Sequence, residues 1–262
     1  MKVKVILITT LIFFLSLEKG FSQSEDTNDS FEVNETKQSA ISPFAHFDFS
    51  YGFPAGDLNR HVKNYLGIGG GLAMVVSNKW IYDLSFTYYW SDDVYNIDGI
   101  FGDLLTSNGN IIASDGGFAG LDLSAQSYSI VAKIGRIIIP TKKESNNGFY
   151  MKLGAGYSGS FINIKTESSE VPGLRDDYAK LYDKYRAGIL THQAIGYMYH
   201  SESSLVNYFI EFEANEMFTK DIRKYDPVLR TKNDKLYNDL YFGIKIGWIF
   251  TWKRKVKDFY YY

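Results

Sequence analysis

Residues 239–250 read DLYFGIKIGWIF, a strict alternation of apolar side chains with other side chains. This period of two predicts a β-strand with one apolar face. The apolar row covers six alternate positions, although strands of soluble proteins average about five or six residues in total. The opposite row is polar or small from Asp239 to Gly247. The apolar row consists of Leu240, Phe242, Ile244, Ile246, Trp248 and Phe250.

Seven further segments repeat this alternation, so the sequence predicts an all-β protein of eight strands. In a soluble sandwich, which is the alternative interpretation, the apolar rows would face a core. However, the opposite rows are rich in Gly, Ala and Ser, which suit a crowded interior, and aromatic residues collect in two bands at the strand ends, as at membrane interfaces. The apolar rows are therefore predicted to face lipid. The seven segments are residues 44–53, 66–76, 80–90, 127–137, 149–161, 189–199 and 206–218.

A bilayer accepts strands only in a closed barrel, because an open sheet edge would leave its peptide groups unpaired in hydrocarbon. The predicted fold is an eight-stranded antiparallel transmembrane β-barrel, an up-and-down meander. Eight strands enclose a lumen that side chains fill. Charges on the inward rows are predicted to form an ion-pair network near His46 and His192, with no open pore. These lumen residues are Asp48, Asp83, Lys133, Lys152, Glu211, Glu213, Asp239 and Lys245.

The connections between the predicted strands alternate between long and short. Outer-membrane barrels have long external loops and short periplasmic turns. The long connections, at residues 54–65, 91–123, 165–187 and 219–238, are therefore predicted to be external. Both termini are then periplasmic.

The N-terminus combines Lys2 and Lys4 with an apolar run over residues 5–17, followed by small residues. This layout predicts a secretory signal peptide at residues 1–22, and the run is shorter than an N-terminal membrane anchor needs. Residues 23–42 are polar and aperiodic, which predicts a disordered periplasmic lead-in. The barrel is assigned to residues 43–252 and a basic, aromatic periplasmic tail to residues 253–262.

Composition excludes several classes of function. The formal net charge of −2 does not fit a nucleic-acid partner. The absence of Cys excludes disulfides, thiolate metal sites, a Cys nucleophile and a lipid-modified Cys. No cofactor is predicted.

The last strand resembles the C-terminal signal by which the outer-membrane assembly machinery recognises its substrates. The chain as a whole resembles the small eight-stranded outer-membrane barrels of the OmpX and OmpA-transmembrane type. This resemblance implies insertion into the outer membrane, with its lipid and lipopolysaccharide as partners. In outline the chain is also similar to barrel subunits of type IX secretion, without a matching motif. The signal residues are Tyr241, Gly243, Ile246, Trp248 and Phe250.

Catalytic and metal-binding residues are not predicted. Some barrels of this size modify lipid A, which requires a base near the outer leaflet, and only His61 of the four histidines lies on that side. The segment 91–99 resembles a calcium loop, but Val94 occupies the place of its first acidic ligand. In the third external connection, five apolar or aromatic residues have helical spacing, which predicts a short amphipathic helix that caps the barrel or binds a partner. These residues are Leu174, Tyr178, Leu181, Tyr182 and Tyr185.

The sequence therefore favours a non-enzymatic structural or accessory protein of the outer membrane, and a secretion or envelope assembly complex is one setting for it. Its contacts are predicted to lie in the external loops or the tail, although a merely solvated tail is the alternative. A lipid-modifying enzyme and a narrow channel are the other hypotheses. The tail residues predicted to meet headgroups or a partner are Lys253, Arg254, Lys255 and Lys257.

Overall fold

A computed structural model describes residues 41–76, 79–141, 146–167, 171–175, 178–201, 207–223, 225–226, 228 and 230–251. Most of this part of the chain is extended. The strands are β1 (Ser42–Gly56), β2 (Tyr65–Val75), β3 (Trp80–Ser91), β4 (Gly120–Pro140), β5 (Gly148–Glu167), β6 (Arg186–Tyr199), β7 (Tyr208–Asp221), β8 (Tyr225–Asp226), β9 (Thr231–Lys232) and β10 (Leu236–Thr251).

Eight of these strands form a closed antiparallel ring in the order β1-β10-β7-β6-β5-β4-β3-β2. Phe49 of β1 pairs with Ile68 of β2 on one side and with Ile246 of β10 on the other. Closure in this way gives every strand of the ring two hydrogen-bonded neighbours. The predicted eight-stranded barrel is confirmed. The two-residue strands β8 and β9 pair with each other in the connection between β7 and β10.

Alternation along each strand separates two surfaces of opposite character. On β10, Lys245 points into the lumen and is 2% exposed, whereas Ile246 is 48% exposed on the outer wall. Each of the other ring strands likewise carries large apolar side chains on the outside. The interior therefore holds the charged and polar side chains together with two clusters of buried apolar side chains, while the outer wall is apolar and exposed, unlike the surface of a soluble sandwich. Among the described residues, no helix is long and apolar enough to cross a membrane.

The hairpin of β4 and β5 extends past its neighbours. Gly120 still pairs with Glu167, whereas pairing with β3 ends at Ala125 and pairing with β6 ends at Ser160. The second and third external connections, which flank this hairpin, are therefore shorter than the sequence predicts, because β4 begins earlier and β5 ends later. Polar residues such as Asp122 and Asn163 hide this extension, because they interrupt the apolar row outside the ring.

The external connections carry a small apolar core of their own. Short helices occur at Leu58–Arg60, Ile97–Phe101, Gly102–Leu104, Pro172–Leu174 and Ala179–Tyr182. Where the sequence predicts one amphipathic helix, the described residues form the short turns Pro172–Leu174 and Ala179–Tyr182, which need packing to be stable. The second and third external connections supply this packing together with Ile162 of β5. The buried cluster contains Ile100, Phe101, Ile111, Ile162, Val171, Leu174 and Tyr182.

Gly71 of β2 faces the lumen at a point where no side chain fits. A Cβ there would collide with the carbonyl oxygen of Leu84 and lie 2.7 Å from Nε2 of His46. We expect Gly71→Ala to lower the free energy of unfolding by about 1–3 kcal/mol, because the strand itself would have to shift. Urea unfolding in lipid vesicles measures this effect.

The control is Gly117→Ala, in an exposed turn where the nearest atom is 3.2 Å away in the side chain of Asp115. This variant should unfold at nearly the wild-type urea concentration. Equal stability of the two variants would contradict close packing around Gly71.

Candidate functional site

The most unusual feature of the interior is a set of buried charges near the middle of the barrel. All ring strands except β2 contribute to it, because the inward positions of neighbouring strands meet at the same height. We call this set the charge layer. It consists of Asp48, Asp83, Glu211, Glu213, Lys133, Lys152 and Lys245, together with His46 and His192, and all nine are at most 6% exposed.

Lys152 of β5 joins two strands that are not its neighbours. Its Nζ lies 3.0 Å from Oδ2 of Asp83 and 3.1 Å from Oε2 of Glu211. The hydroxyl of Tyr150 donates to the same Oε2 at 2.9 Å. Charge-assisted hydrogen bonds of this kind are the strong ones in a dry interior, so these contacts tie β3, β5 and β7 together across the lumen.

A second lysine connects the other side of the barrel. Nζ of Lys245 lies 3.1 Å from Oε2 of Glu213 and 3.7 Å from Oδ1 of Asp48. Lys133 adds a longer contact, 3.7 Å from Oδ2 of Asp83. Each lysine therefore has at least one carboxylate within ion-pair distance, as burial of an ammonium group requires.

His46 lies between two carboxylates. Its Nδ1 is 3.0 Å from Oδ2 of Asp48, and its Nε2 is 3.3 Å from Oδ1 of Asp83. Carboxylate oxygens only accept hydrogen bonds when they are ionised, so the doubly protonated ring satisfies both contacts. The sequence placed His46 near the charges but contained no sign of this bridging role.

Asp239 lies apart from the charge layer, near the outer mouth. Its Oδ1 is 3.4 Å from Nη1 of Arg186, and the hydroxyl of Thr219 donates to its Oδ2 at 2.5 Å. The guanidinium of Arg186 also lies over the ring of Tyr237, 4.6 Å from its centroid. Arg186 is a lumen residue that sequence reasoning missed, because it was counted as part of a loop. Counting back in steps of two from His192 would have placed it on the inward row.

The proposed assembly-signal residues divide between the two surfaces. The ring of Tyr241 is buried in the lumen beside Gly52 and Gly243, where a Cβ would lie within 2.7 Å of its hydroxyl. Ile246, Trp248 and Phe250 are about half exposed on the outer wall. Their role as a recognition signal stays a prediction. The signal peptide, the lead-in and the tail residues Lys253, Arg254, Lys255 and Lys257 lie outside the described residues.

The lumen beyond the charge layer is also filled. A cavity of about 20 Å³ lies among Tyr65, Tyr89, Leu190, Asn215 and Tyr241. Space of this size holds one water molecule. The charge layer and the tyrosines therefore form a packed polar interior at this level, and what they can do chemically is to hold the strands together.

His61 is placed in the first external connection, directly after the turn Leu58–Arg60. Burial, together with the positive charges of Arg186, Lys184 and Arg60, lowers its pKa to about 4. The folded protein thus takes up a proton on His61 less readily than the unfolded chain, in which the pKa is near 6.5. The stabilisation is present above pH 6.5 and is lost as the pH falls towards 4.

We therefore expect the free energy of unfolding to fall by about 1–2 kcal/mol between pH 6.5 and pH 4 through His61, after allowance for its partial exposure. His61→Gln should flatten this part of the pH profile of urea unfolding. His200→Gln is a comparison at the other end of the barrel, where burial also lowers the histidine pKa. An unchanged profile in His61→Gln would contradict the assignment.

Comparison with known proteins gives structural similarity only. No protein-family model matches the chain, and no curated protein matches its sequence. Solved barrel structures do match. Ail, the attachment invasion locus protein of Yersinia pestis, has 13% identity and a TM-score of 0.40, over 80% of this chain and 97% of that one. Neisserial surface protein A has 12% identity and a TM-score of 0.39, over 80% and 98%.

The N-terminal β-barrel domain of OprF from Pseudomonas aeruginosa also matches. It has 9% identity and a TM-score of 0.30, over 79% of this chain and 99% of that domain. These structures are small barrels of the class that the sequence resembles. The fold assignment itself rests on the closed strand pairing of this chain.

Proposed function

We propose that this chain is an outer-membrane barrel with a filled lumen, and that it acts as a non-enzymatic structural or accessory protein. The observation that carries the proposal is the arrangement of its two surfaces. Large apolar side chains stay exposed on the outer wall of every ring strand, while charged groups are buried inside. Monomeric soluble proteins rarely expose contiguous apolar surface on this scale.

Aromatic residues mark both ends of the apolar wall. Trp80 and Phe149 lie towards the short turns, and Tyr88 and Trp90 lie towards the long connections, with Tyr88 and Trp90 stacked at 6.5 Å between ring centroids. Two such bands fit the two interfaces of a bilayer. In this proposal the long connections face the cell exterior, and the start of β1 and the end of β10 face the periplasm.

The interior supports a structural role over the alternatives. A channel needs a continuous water path, whereas the charge layer consists of mutually paired side chains and the nearby cavity holds about one water. A lipid-modifying enzyme would need an activated base in the external connections. His61 is the candidate there, and its low pKa makes it a weak base at neutral pH.

The external connections are the best candidates for contacts with lipopolysaccharide or a protein partner. Their apolar core gives them a defined shape. The ion pair of Asp183 and Arg223, at 2.6 Å, joins the third connection to the fourth. The hydroxyl contact between Tyr185 and Tyr128 of β4, at 2.9 Å, attaches the third connection to the ring. A role in a secretion or envelope assembly complex, through these loops or the periplasmic tail, is part of the proposal.

Fractionation and conductance test the proposal together. We expect the protein in the outer-membrane fraction, with faster gel migration before heating than after it. In planar bilayers we expect no large steady conductance. Recovery as a soluble periplasmic protein would refute the membrane assignment, and a large steady conductance would refute the filled lumen. Mass spectrometry of lipid A with and without the protein tests the enzyme alternative, in which His61→Ala would abolish a modification.

A further inference from the structure

Three residues of the charge layer each leave one ligand atom without a partner. His192 of β6 and Glu211 and Glu213 of β7 are 2%, 0% and 4% exposed. One ligand atom of each lies within 4.8 Å of one ligand atom of both others. Nε2 of His192, Oε1 of Glu211 and Oε1 of Glu213 are buried and have no hydrogen-bond partner among the described residues. Buried polar atoms of this kind need an explanation.

The remaining polar atoms of the same three side chains are held firmly. Nδ1 of His192 lies 2.7 Å from Oδ1 of Asn215, which only accepts, so the ring proton is on Nδ1 and Nε2 carries a lone pair. Oε2 of Glu211 is fixed by Lys152, and Oε2 of Glu213 is fixed by Lys245, both at 3.1 Å. Metal-binding histidines and carboxylates are usually oriented by such outer contacts.

Two of the three free atoms face each other. Nε2 of His192 lies 3.8 Å from Oε1 of Glu211, so two lone-pair acceptors face each other in a dry interior. Zinc binds imidazole nitrogen at about 2.0–2.1 Å and carboxylate oxygen at about 2.0–2.2 Å. An ion between these two atoms can therefore reach both of them.

With the ring of His46 doubly protonated, the charge layer is neutral, and this sets the charge that a bound cation would add. The four carboxylates of the layer exceed its three lysines by one. The fourth positive charge is on the ring of His46, which can release its proton when a cation binds, since metal binding commonly releases protons. After the loss of that proton, a bound divalent cation would leave the charge layer with one net positive charge.

The donor set decides which ions fit. One imidazole nitrogen and two carboxylate oxygens suit zinc and related transition metals better than calcium or magnesium, which prefer oxygen ligands alone. We propose that His192, Glu211 and Glu213 form a binding site for a divalent transition-metal ion, with Zn²⁺ as the natural candidate, inside the barrel.

The site would add a cross-link between β6 and β7 at the level where lysines already connect the other strands. The proposed metal site rests on the local geometry of the lumen and is independent of any ligand of the external loops. The three ligands come together only in the folded state, so metal binding is coupled to folding. The ion can therefore bind as the barrel forms.

Cobalt(II) and zinc are the probes for the test. The full chain, folded in detergent and freed of metal with a chelator, is expected to retain about one equivalent of either ion after desalting. Bound Co²⁺ should give the visible absorption of a low-coordinate site. Zn²⁺ should raise the midpoint of urea unfolding. His192→Gln, which keeps a donor for Asn215, should reduce retention at least tenfold.

His200→Gln is the matched control, because it removes a histidine outside the charge layer and should leave the stoichiometry unchanged. If His192→Gln fails to fold, nitrogen-15 NMR of the wild-type histidines still decides, since metal binding must shift Nε2 of His192. Wild-type protein that retains no metal above background overturns the proposal. Retention that His192→Gln leaves intact, or a water molecule bound between the two acceptors in the presence of zinc, overturns it as well.

Discussion

Asp83→Leu is expected to destabilise the barrel by about 3–5 kcal/mol, the range found when one partner of a buried ion pair is removed. Asp83 is 5% exposed and serves three cations: Lys152 at 3.0 Å, Lys133 at 3.7 Å and His46 at 3.3 Å. Leucine leaves these groups buried with fewer counter-charges. Reversible urea unfolding in lipid vesicles, followed by gel mobility, measures the loss.

A second substitution separates loss of charge balance from loss of shape. Lys133 has its ion pair with Asp83, so Lys133→Met added to Asp83→Leu removes the stranded charge. The double variant is expected to be more stable than Asp83→Leu alone. Asp122→Ala, at an exposed position of the protruding hairpin, should change the stability little. If Asp83→Leu cost no more than this control, the charge layer would not be a structural element.

The alternation of side chains predicted the strands and their faces because both follow from one local rule with a period of two. Lys245 and Ile246 illustrate this, since the alternation alone assigns them to opposite surfaces and they occupy the lumen and the outer wall. The closure of the ring followed from a different argument, namely that a bilayer does not accept a free sheet edge. Neither argument needs long-range information beyond the number of strands.

The pairing within the lumen could not be predicted in the same way. Which charges meet depends on the stagger of strands that are distant in sequence, and alternation is silent about stagger. Asp239 shows this limit: it shares the inward row of β10 with Lys245, but lies nearer the outer mouth and pairs with Arg186. The facing acceptors of His192 and Glu211 likewise became visible only with side-chain positions.

The external connections mark a second limit. Leu174 and Tyr182 have helical spacing and are buried, but the first turn ends at Leu174 and is followed by Arg175 in an extended conformation. Their packing against Ile100 and Phe101 from another connection determines the conformation. Tertiary contacts override a short amphipathic pattern, since an isolated turn has little stability of its own.

Ile130→Arg is expected to lower the free energy of unfolding in a bilayer by about 2–4 kcal/mol, as for a basic residue on the lipid face near the midplane. Ile130 is 51% exposed on the outer wall, between Phe86 and Tyr157. It lies near the middle of the part of β4 whose ends pair with Trp80 and Trp90. In water the same substitution on an exposed strand position would cost little, so the size of the effect reports the solvent around the barrel.

Ile112→Arg is the matched control, because Ile112 is exposed to nearly the same degree, 52%, but lies in the second external connection. Its unfolding should be close to that of the wild type. The contrast between the two variants should shrink in a detergent that admits water to the outer wall. If both variants were equally stable in lipid vesicles, the outer wall would not face hydrocarbon, and the proposed membrane assignment would fail even though the closed barrel remained correct.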